Sequence, residues 1–336
     1  MRLAPELRCP RHAERPLAVE TAVAGEGLAC PSGCRFPVVR GIARFSASDS
    51  YAEGFGLQWK AYRRTQLDSY TGTRISRDRL ERCLGGSIDG LRGRSVLEAG
   101  CGAGRFTEIL LAAGARVFAF DLSQAVEANL ENCGAADGYF VCQADALQIP
   151  AAPLSFDIVV ALGVVQHTPS PEATIRSLAT RVRPGGLLVI DHYRVPSPVT
   201  RMLLPFLPRT VLRAILLRLS PIVALRATQR ITRSLLPVHR LLWRRGPVVD
   251  RLRFVWRRLS PVFDYYDSYP ELGARLEEWA YLDTHDGLTD YYKHLRTAAQ
   301  IRARLEELDL HEIHVAEAGN GIEARARRPL ASTSLR

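Results

Sequence analysis

The run Ser95-Val-Leu-Glu-Ala-Gly-Cys-Gly-Ala-Gly104 constrains the fold more than any other part of the chain. An apolar, partly β-branched stretch breaks into Glu98-x-Gly100-x-Gly102-x-Gly104, and an amphipathic stretch, Arg105 to Ala113, follows. That pattern predicts a strand, a tight glycine turn and a helix. Glycines are needed where the chain reverses sharply and a ligand must lie against bare backbone, so a nucleotide-like ligand is expected. A dinucleotide fingerprint wants Gly or Ala where Arg105 stands, and a pyrophosphate wants no carboxylate such as Glu98 beside the loop. A ligand with a cationic centre suits the site better. The next strand, Arg116 to Phe120, ends in Asp121, 21 residues past Gly100, where an acid grips ribose hydroxyls.

From Ser95 to Tyr193 the chain resembles the class I S-adenosylmethionine (SAM) methyltransferases, in particular their broad small-molecule "type 11" group. Glu98, Gly100, Gly102 and Gly104 match the family's glycine loop, and Asp121 matches its ribose acid. Asp145 in Gln143-Ala-Asp-Ala146 matches the acid beside adenine. Ser155 to Leu162, followed by Gly163-Val-Val-Gln-His167, matches the fourth strand and the loop that faces the methyl group. Arg183-Pro-Gly-Gly186 and Leu187 to Asp191 match the turn and fifth strand. The resemblance implies SAM binding by Glu98, Ala99, Gly100, Cys101, Gly102, Gly104, Asp121, Leu122, Asp145, Ala146, Leu162 and Gly163. It also implies an α/β fold: a Rossmann-like, seven-stranded sheet whose ligand sits at the carboxyl ends of the parallel strands.

The N-terminal stretch holds Cys9-Pro-Arg-His12 and Cys30-Pro-Ser-Gly-Cys34. Two such knuckles can close a tetrahedral Cys3His zinc site. A metal-free knuckle is the alternative, since His12 stands where a second cysteine is commoner. Cys30 to Phe45 looks like the small zinc-ribbon domain of tRNA-methyltransferase activator proteins, a scaffold or partner surface in that family. Seven cysteines, one of them inside the glycine loop, favour reduced thiols and a cytoplasmic setting over a disulfide framework. The first ten residues lack the apolar run of a signal peptide, so no export is expected.

The 336 residues exceed what a single SAM-binding domain uses, and the net charge of +10 is concentrated. Between Ser197 and Val262 there are fourteen arginines, no lysine and one acid, Asp250, a balance of +13 that leaves −3 for the rest. Within it Leu212, Ile215, Leu216 and Leu219 are spaced for one helical face, as are Leu252, Val255, Trp256 and Leu259. Arginines are expected on the other faces, and Arg209, Arg213 and Arg218 keep any apolar run too short to span a bilayer. A lid over the active site, a surface for anionic lipid headgroups at the inner face of the membrane, a nucleic-acid groove and a plain solvated cap are the readings open to it. The expected divisions are 1–46, a zinc-ribbon-like domain; 47–94, a helical linker or cap whose Tyr51, Gln58, Trp59 and Arg63 are candidates to touch the ligands; 95–196, the SAM-binding core; 197–290, an Arg-rich helical insertion between strands five and six; 291–328, the rest of the core; and 329–336, a tail.

Methyl transfer from a sulfonium is an in-line displacement, so catalysis is largely positioning, with a base where the nucleophile must lose a proton. His167 and His192 fall just past the fourth and fifth strands and are the candidate catalytic residues; His285 and Tyr291-Tyr292 are candidates for the far side of the pocket. The loop Ala161-Leu-Gly-Val-Val lacks the Asn-Pro-Pro-Tyr motif of amino-methylating nucleic-acid enzymes. Oxygen or carbon of a small-molecule, sugar or lipid-linked acceptor is therefore expected. A ribosomal or transfer RNA methyltransferase is the alternative, and a non-catalytic SAM-binding scaffold is a second.

Overall fold

The computed structural model describes residues 3–22, 25–46, 51–134, 136–198, 202, 207–243, 247–319 and 321–330. In chain order the N-terminal stretch forms β1 (Arg8–Cys9), β2 (His12–Pro16), β3 (Ala18–Ala22), β4 (Gly25–Ala29), β5 (Arg35–Val39) and β6 (Ile42–Arg44). Helices α1 (Glu53–Ala61), α2 (Asp68–Thr71) and α3 (Ile75–Leu84) follow. Strands and helices then alternate: β7 (Ser95–Ala99), α4 (Thr107–Ala112), β8 (Arg116–Asp121), α5 (Ala125–Cys133), β9 (Tyr139–Gln143), β10 (Phe156–Ala161), α6 (Pro171–Ala179) and β11 (Val182–Tyr193). The helices α7 (Pro208–Leu216), α8 (Pro221–Leu242), α9 (Pro247–Leu259) and α10 (Leu276–Thr289) come next, and α11 (Ala298–Glu306), β12 (His311–Ala318) and β13 (Gly321–Arg327) close the chain.

The chain divides into two compact units, one of Met1–Ser50, Ile75–Val195 and Tyr292–Arg336, the other of Tyr51–Arg74 and Pro196–Tyr291. The boundary thus falls inside the expected 47–94 linker. Helix α3 goes with the sheet because Arg79 pairs with Asp191 of β11 and Arg82 pairs with Glu323 of β13 at 2.7 Å.

In the first unit the sheet runs β12-β13-β11-β10-β7-β8-β9-β6-β5-β4-β3. The expected seven strands are its first seven, with β7 to β11 parallel and β12 and β13 antiparallel. It does not stop at seven. β6 adds parallel to β9 through Ala43 and Arg44, covering backbone groups that would otherwise be a free edge, and β5, β4 and β3 continue antiparallel. β3 to β6 therefore extend the central sheet, while β1 and β2 pair with each other in a separate two-stranded sheet. Every residue of β7 is buried, as a strand covered on both faces must be. Its side chains alternate: Val96, Val160 and Val189 pack with Leu80 and Leu110, while Leu97, Val159 and Leu188 pack with Ile175, Leu178 and Ile301. The turn expected at Arg183-Pro-Gly-Gly186 is instead a bulge within β11, since Val182 pairs with Phe156 and Leu187 with Ile158. At Gly186 a Cβ would lie 2.9 Å from the carbonyls of Arg183 and Asp157, so only glycine fits the bulge.

The second unit is helical. Tyr62 accepts a hydrogen bond from Gln229 at 2.9 Å, and the indole of Trp279 donates to the Thr65 carbonyl at 2.6 Å, joining the 51–74 stretch to α8 and α10. Gln58 is buried there. No helix among the described residues is long and apolar enough to cross a membrane.

Candidate cofactor and metal sites

The glycine turn after β7 follows from its backbone. Gly100, Gly102 and Gly104 have φ of +64, +49 and +100, a region that side chains disfavour. At Gly100 a Cβ would come 2.3 Å from Val164 Cγ2, so the turn packs directly on the loop after β10. Cys101 N–H donates to the Phe120 carbonyl at 3.0 Å, and Asn129 and Asn132 donate to the Cys101 and Ala103 carbonyls at 3.3 and 2.8 Å. The turn is held from outside and leaves a bare backbone cradle.

Two acids flank it. Glu98 is 2% exposed and accepts from Thr107 Oγ1 at 2.6 Å. Burial pushes its pKa up to about 8. Asp121, at the carboxyl end of β8, accepts from Gly102 N–H at 3.0 Å and from Ser123 N–H and Oγ at 2.8 and 2.6 Å. Burial raises its pKa as well, with those donors opposing the shift. Its carboxylate is thereby fixed in rotamer, with Oδ1 accepting two of these bonds and Oδ2 one, so that Oδ2 keeps an acceptor position. Leu122 follows, and its carbonyl accepts from Gln143 Nε2 at 2.8 Å. Asp145 closes an Asx turn on Leu147 N–H at 2.8 Å, with Ala146 buried beside it. These residues stand at the ends of neighbouring parallel strands, where a nucleoside has backbone to lie on and acids to bond.

The loop after β10 holds Leu162, buried, and Gly163, at φ +77. Gly163 N–H donates to Asp191 Oδ1 at 2.6 Å, and Asp191 also pairs with Arg79. Asp191 and Arg79 fix this loop. Sequence reasoning named neither as a site residue, since a charge ending an apolar strand was the one signal and its partner lies 112 residues away. His167 is 7% exposed, with Nδ1 3.0 Å from the Tyr292 carbonyl and its ring edge-on to Tyr193. A carbonyl accepts only, so Nδ1 carries the proton and Nε2 is the basic nitrogen. His192 is more deeply set: its Nδ1 faces the Tyr193 carbonyl at 3.0 Å, burial lowers its pKa, and Nε2 has no hydrogen-bond partner among the described residues. His285 lies in the second unit, buried, with Nδ1 2.9 Å from Thr228 Oγ1 and a pKa lowered to about 4 by burial.

The four N-terminal ligands converge. Cys9, Cys30 and Cys34 place Sγ 3.7, 3.8 and 3.5 Å from His12 Nδ1, and all four atoms lie within 4.8 Å of one another. Ideal tetrahedral zinc bonds put sulfur and nitrogen ligands about 3.6 Å apart. Cys30 and Cys34 form a knuckle in which Cys30 N–H donates to the Cys34 carbonyl at 2.8 Å and Gly33 takes φ +88. Ser32 N–H points at Cys30 Sγ at 3.4 Å, and despite burial such donors lower the Cys30 pKa. None of the seven cysteines is in a disulfide.

The fold is that of the class I methyltransferases, and residues 97–190 match the family model described as a methyltransferase domain. Similar proteins include the ubiquinone biosynthesis O-methyltransferases of Cupriavidus pinatubonensis, 28% identical over 53% of this chain and 69% of that one, and of Aromatoleum aromaticum, 37% identical over 29% of this chain and 43% of that one. Several such alignments span well under half of the relative. Among solved structures, magnesium protoporphyrin IX methyltransferase from Synechocystis with bound S-adenosylhomocysteine aligns over 83% of this chain and 96% of its own, at 14% identity and a TM-score of 0.45.

Proposed function

We propose that the chain is a SAM-dependent methyltransferase acting on oxygen of a small-molecule acceptor. The observation that carries this reading is the cradle of Gly100, Gly102 and Gly104 between Glu98 and Asp121 at the ends of two parallel strands. Asp121 takes both ribose hydroxyls, Asp145 and Ala146 flank the adenine, and Ala99, Cys101, Leu122, Leu162 and Gly163 line the rest. Glu98, ionised by the approach of a cationic ligand, faces its charged end. SAM supplies a methyl group on a sulfonium, a leaving group that needs no acid.

His167 receives the acceptor's proton on Nε2, the Tyr292 carbonyl holding its tautomer. His192, buried and neutral, and Asp191, through Gly163, are positioning residues. The relatives' O-methyltransferase name favours oxygen over carbon. The Cys9, His12, Cys30 and Cys34 set holds one structural zinc, which would lock β1, β2 and the β4–β5 knuckle together. The reading includes a peripheral encounter with an anionic membrane surface, which would bring the enzyme to lipid-linked acceptors.

Titration calorimetry of SAM into wild type and Asp121→Ala tests the assignment. Loss of two hydrogen bonds to a charged acceptor should weaken binding by about a hundred-fold or more. Equal affinity in the two proteins would remove Asp121 from the site. Labelled SAM incubated with fractionated extract then reports the acceptor, and label in RNA in place of the small-molecule or lipid fraction would overturn the acceptor class.

A further inference from the structure

The helices of the second unit depart from ordinary amphipathicity. In α7 the arginines turn inward. Arg209 donates through Nε to the Ser260 carbonyl at 2.9 Å and through Nη2 to the Val262 and Arg257 carbonyls at 3.0 and 3.3 Å, with its guanidinium 4.3 Å from the Phe263 ring centre. Arg213 pairs with the buried Asp290 at 2.8 Å. Leu216 is buried with them, but Val211, Ile215 and Leu219 are not, and the row continues into Ile222 and Val223 at the start of α8. In α9, Leu252, Phe254, Val255 and Leu259 are each more than half exposed. Among the described residues, eleven of the seventeen well-exposed large apolar side chains fall between Met202 and Leu259. The Arg209 clamp ties the first turn of α7 to the last carbonyls of α9 and the chain just after it.

The charge around these aliphatics decides what they meet. Arg253 and Arg257 are paired with Asp250, Asp264 and Asp267, and Arg240 with Glu277. Arg218, Arg226, Arg230, Arg233 and Arg251 are exposed, and no acid pairs with them among the described residues. Arg258 is exposed too and lies over the Phe254 ring at 3.5 Å. A second copy of so basic a face would be repelled at close range. A nucleic acid would satisfy the arginines but has no use for Val211, Ile215, Leu219, Ile222 and Val255. An anionic bilayer satisfies both, taking aliphatics into the acyl boundary while long arginine stems keep their guanidinium groups among the headgroup phosphates.

We propose that α7, the first turn of α8 and α9 form a docking face for the surface of an anionic phospholipid membrane. The proposal rests on the peripheral reading above and adds the residues that insert and those that hold headgroups. It is independent of SAM binding.

Flotation of the full-length protein with unilamellar vesicles tests it, comparing phosphatidylcholine alone with phosphatidylcholine and phosphatidylglycerol in equal parts. The anionic vesicles should bind at least about ten-fold more protein, and binding should fall with salt. Arg218→Gln with Arg251→Gln and Arg258→Gln should weaken it about a hundred-fold. Val211→Ser with Ile215→Ser and Val255→Ser should weaken what survives in high salt. Both variants change exposed side chains and should bind SAM as wild type does, which checks that they fold. Equal binding to neutral vesicles, or anionic binding that neither variant alters, overturns the proposal. So does tight binding to structured RNA without vesicle binding, or a dimer that the serine variant dissolves. Vesicle binding by a protein that fails to bind SAM would sink the methyltransferase reading and leave the docking face standing.

Discussion

The two units of the chain handle their polar and apolar groups in opposite ways. In the sheet unit, aliphatics fill both faces and polar groups gather at the carboxyl ends of strands, where Asp121, Asp191 and the glycine turn are held by backbone donors. The helical unit has an apolar core too, around Leu236, Val262 and Ala280, but it takes in polar groups such as Thr228, Thr232, Ser260 and His285 while many aliphatics of α7 and α9 are left on the surface. His239 makes the point: its Nδ1 lies 2.6 Å from Asp264 Oδ2 and its Nε2 2.7 Å from Ser260 Oγ. The order resembles a nucleophilic triad, but Ser260 is buried and its Oγ also accepts the Val262 N–H at 3.2 Å, so the network joins α8 to the chain after α9. A polar group at the end of a strand is available to a ligand, whereas one inside a helical packing is consumed by the fold. The proposed methyl transfer draws on the first kind of group and the proposed docking face on the aliphatics that the second unit leaves outside.

If that contrast holds, the largest effect comes from the metal. Small zinc modules draw roughly 10 kcal/mol from binding, and β1 and β2 have little other core. Metal analysis should find about one zinc per chain. Cys34→Ser should lose it and release protection of the 8–39 amides in hydrogen exchange, while α8 and α10 exchange as before. Protection that persists in metal-free protein would show that the strands need no ion.

A smaller effect is expected at Gly100. Alanine there meets Val164 Cγ2 at 2.3 Å and must adopt φ +64, so Gly100→Ala should destabilise by about 3 kcal/mol and abolish measurable SAM binding. Adding Val164→Ala relieves the clash and leaves about 1 kcal/mol of backbone strain. Recovery in the double variant would place the loop after β10 against the cradle. A purely additive loss in the two substitutions would refute that packing.

The parts that the sequence discloses are those where local pattern and function coincide. β7 to β11 alternate with helices at readable intervals, and the glycine turn and Asp121 announce themselves because each needs a particular residue at a particular strand end. The convergence of Cys9, His12, Cys30 and Cys34 was legible for the same reason, two short knuckles with fixed spacing. What stayed hidden depends on partners far along the chain. The sheet continues past β9 only because β6 finds Cys142 and Gln143, about a hundred residues on. Asp191 becomes a loop anchor only beside Arg79. The apolar spacing of α7 correctly implied a helix but predicted its arginines outward. Asp290 and the carbonyls after α9, distant in sequence, reverse that orientation. The Arg244→Gln and Arg245→Gln changes that the charge pattern alone would suggest concern positions outside the described residues.

The mildest prediction separates the two units by pH. His285 is buried against Thr228, and burial lowers its pKa to about 4 from an ordinary value near 6.5. Its unfolded form therefore takes a proton over this range while its folded form does not. Stability contributed by the neutral ring is complete above pH about 6.5 and falls as the pH is lowered, reaching its full loss of at most ~3 kcal/mol near pH 4. Asp264, held down to about 2 despite burial by His239 and Arg257, titrates below that window and does not blur it. Trp279, buried in the same unit, reports on it through fluorescence-monitored urea unfolding between pH 7 and 4. His285→Asn keeps a polar partner for Thr228 and cannot titrate, so its midpoint should change less with pH than that of wild type. Parallel slopes in the two proteins would assign the acid sensitivity elsewhere, His192 in the sheet unit being next in line, since burial lowers its pKa as well.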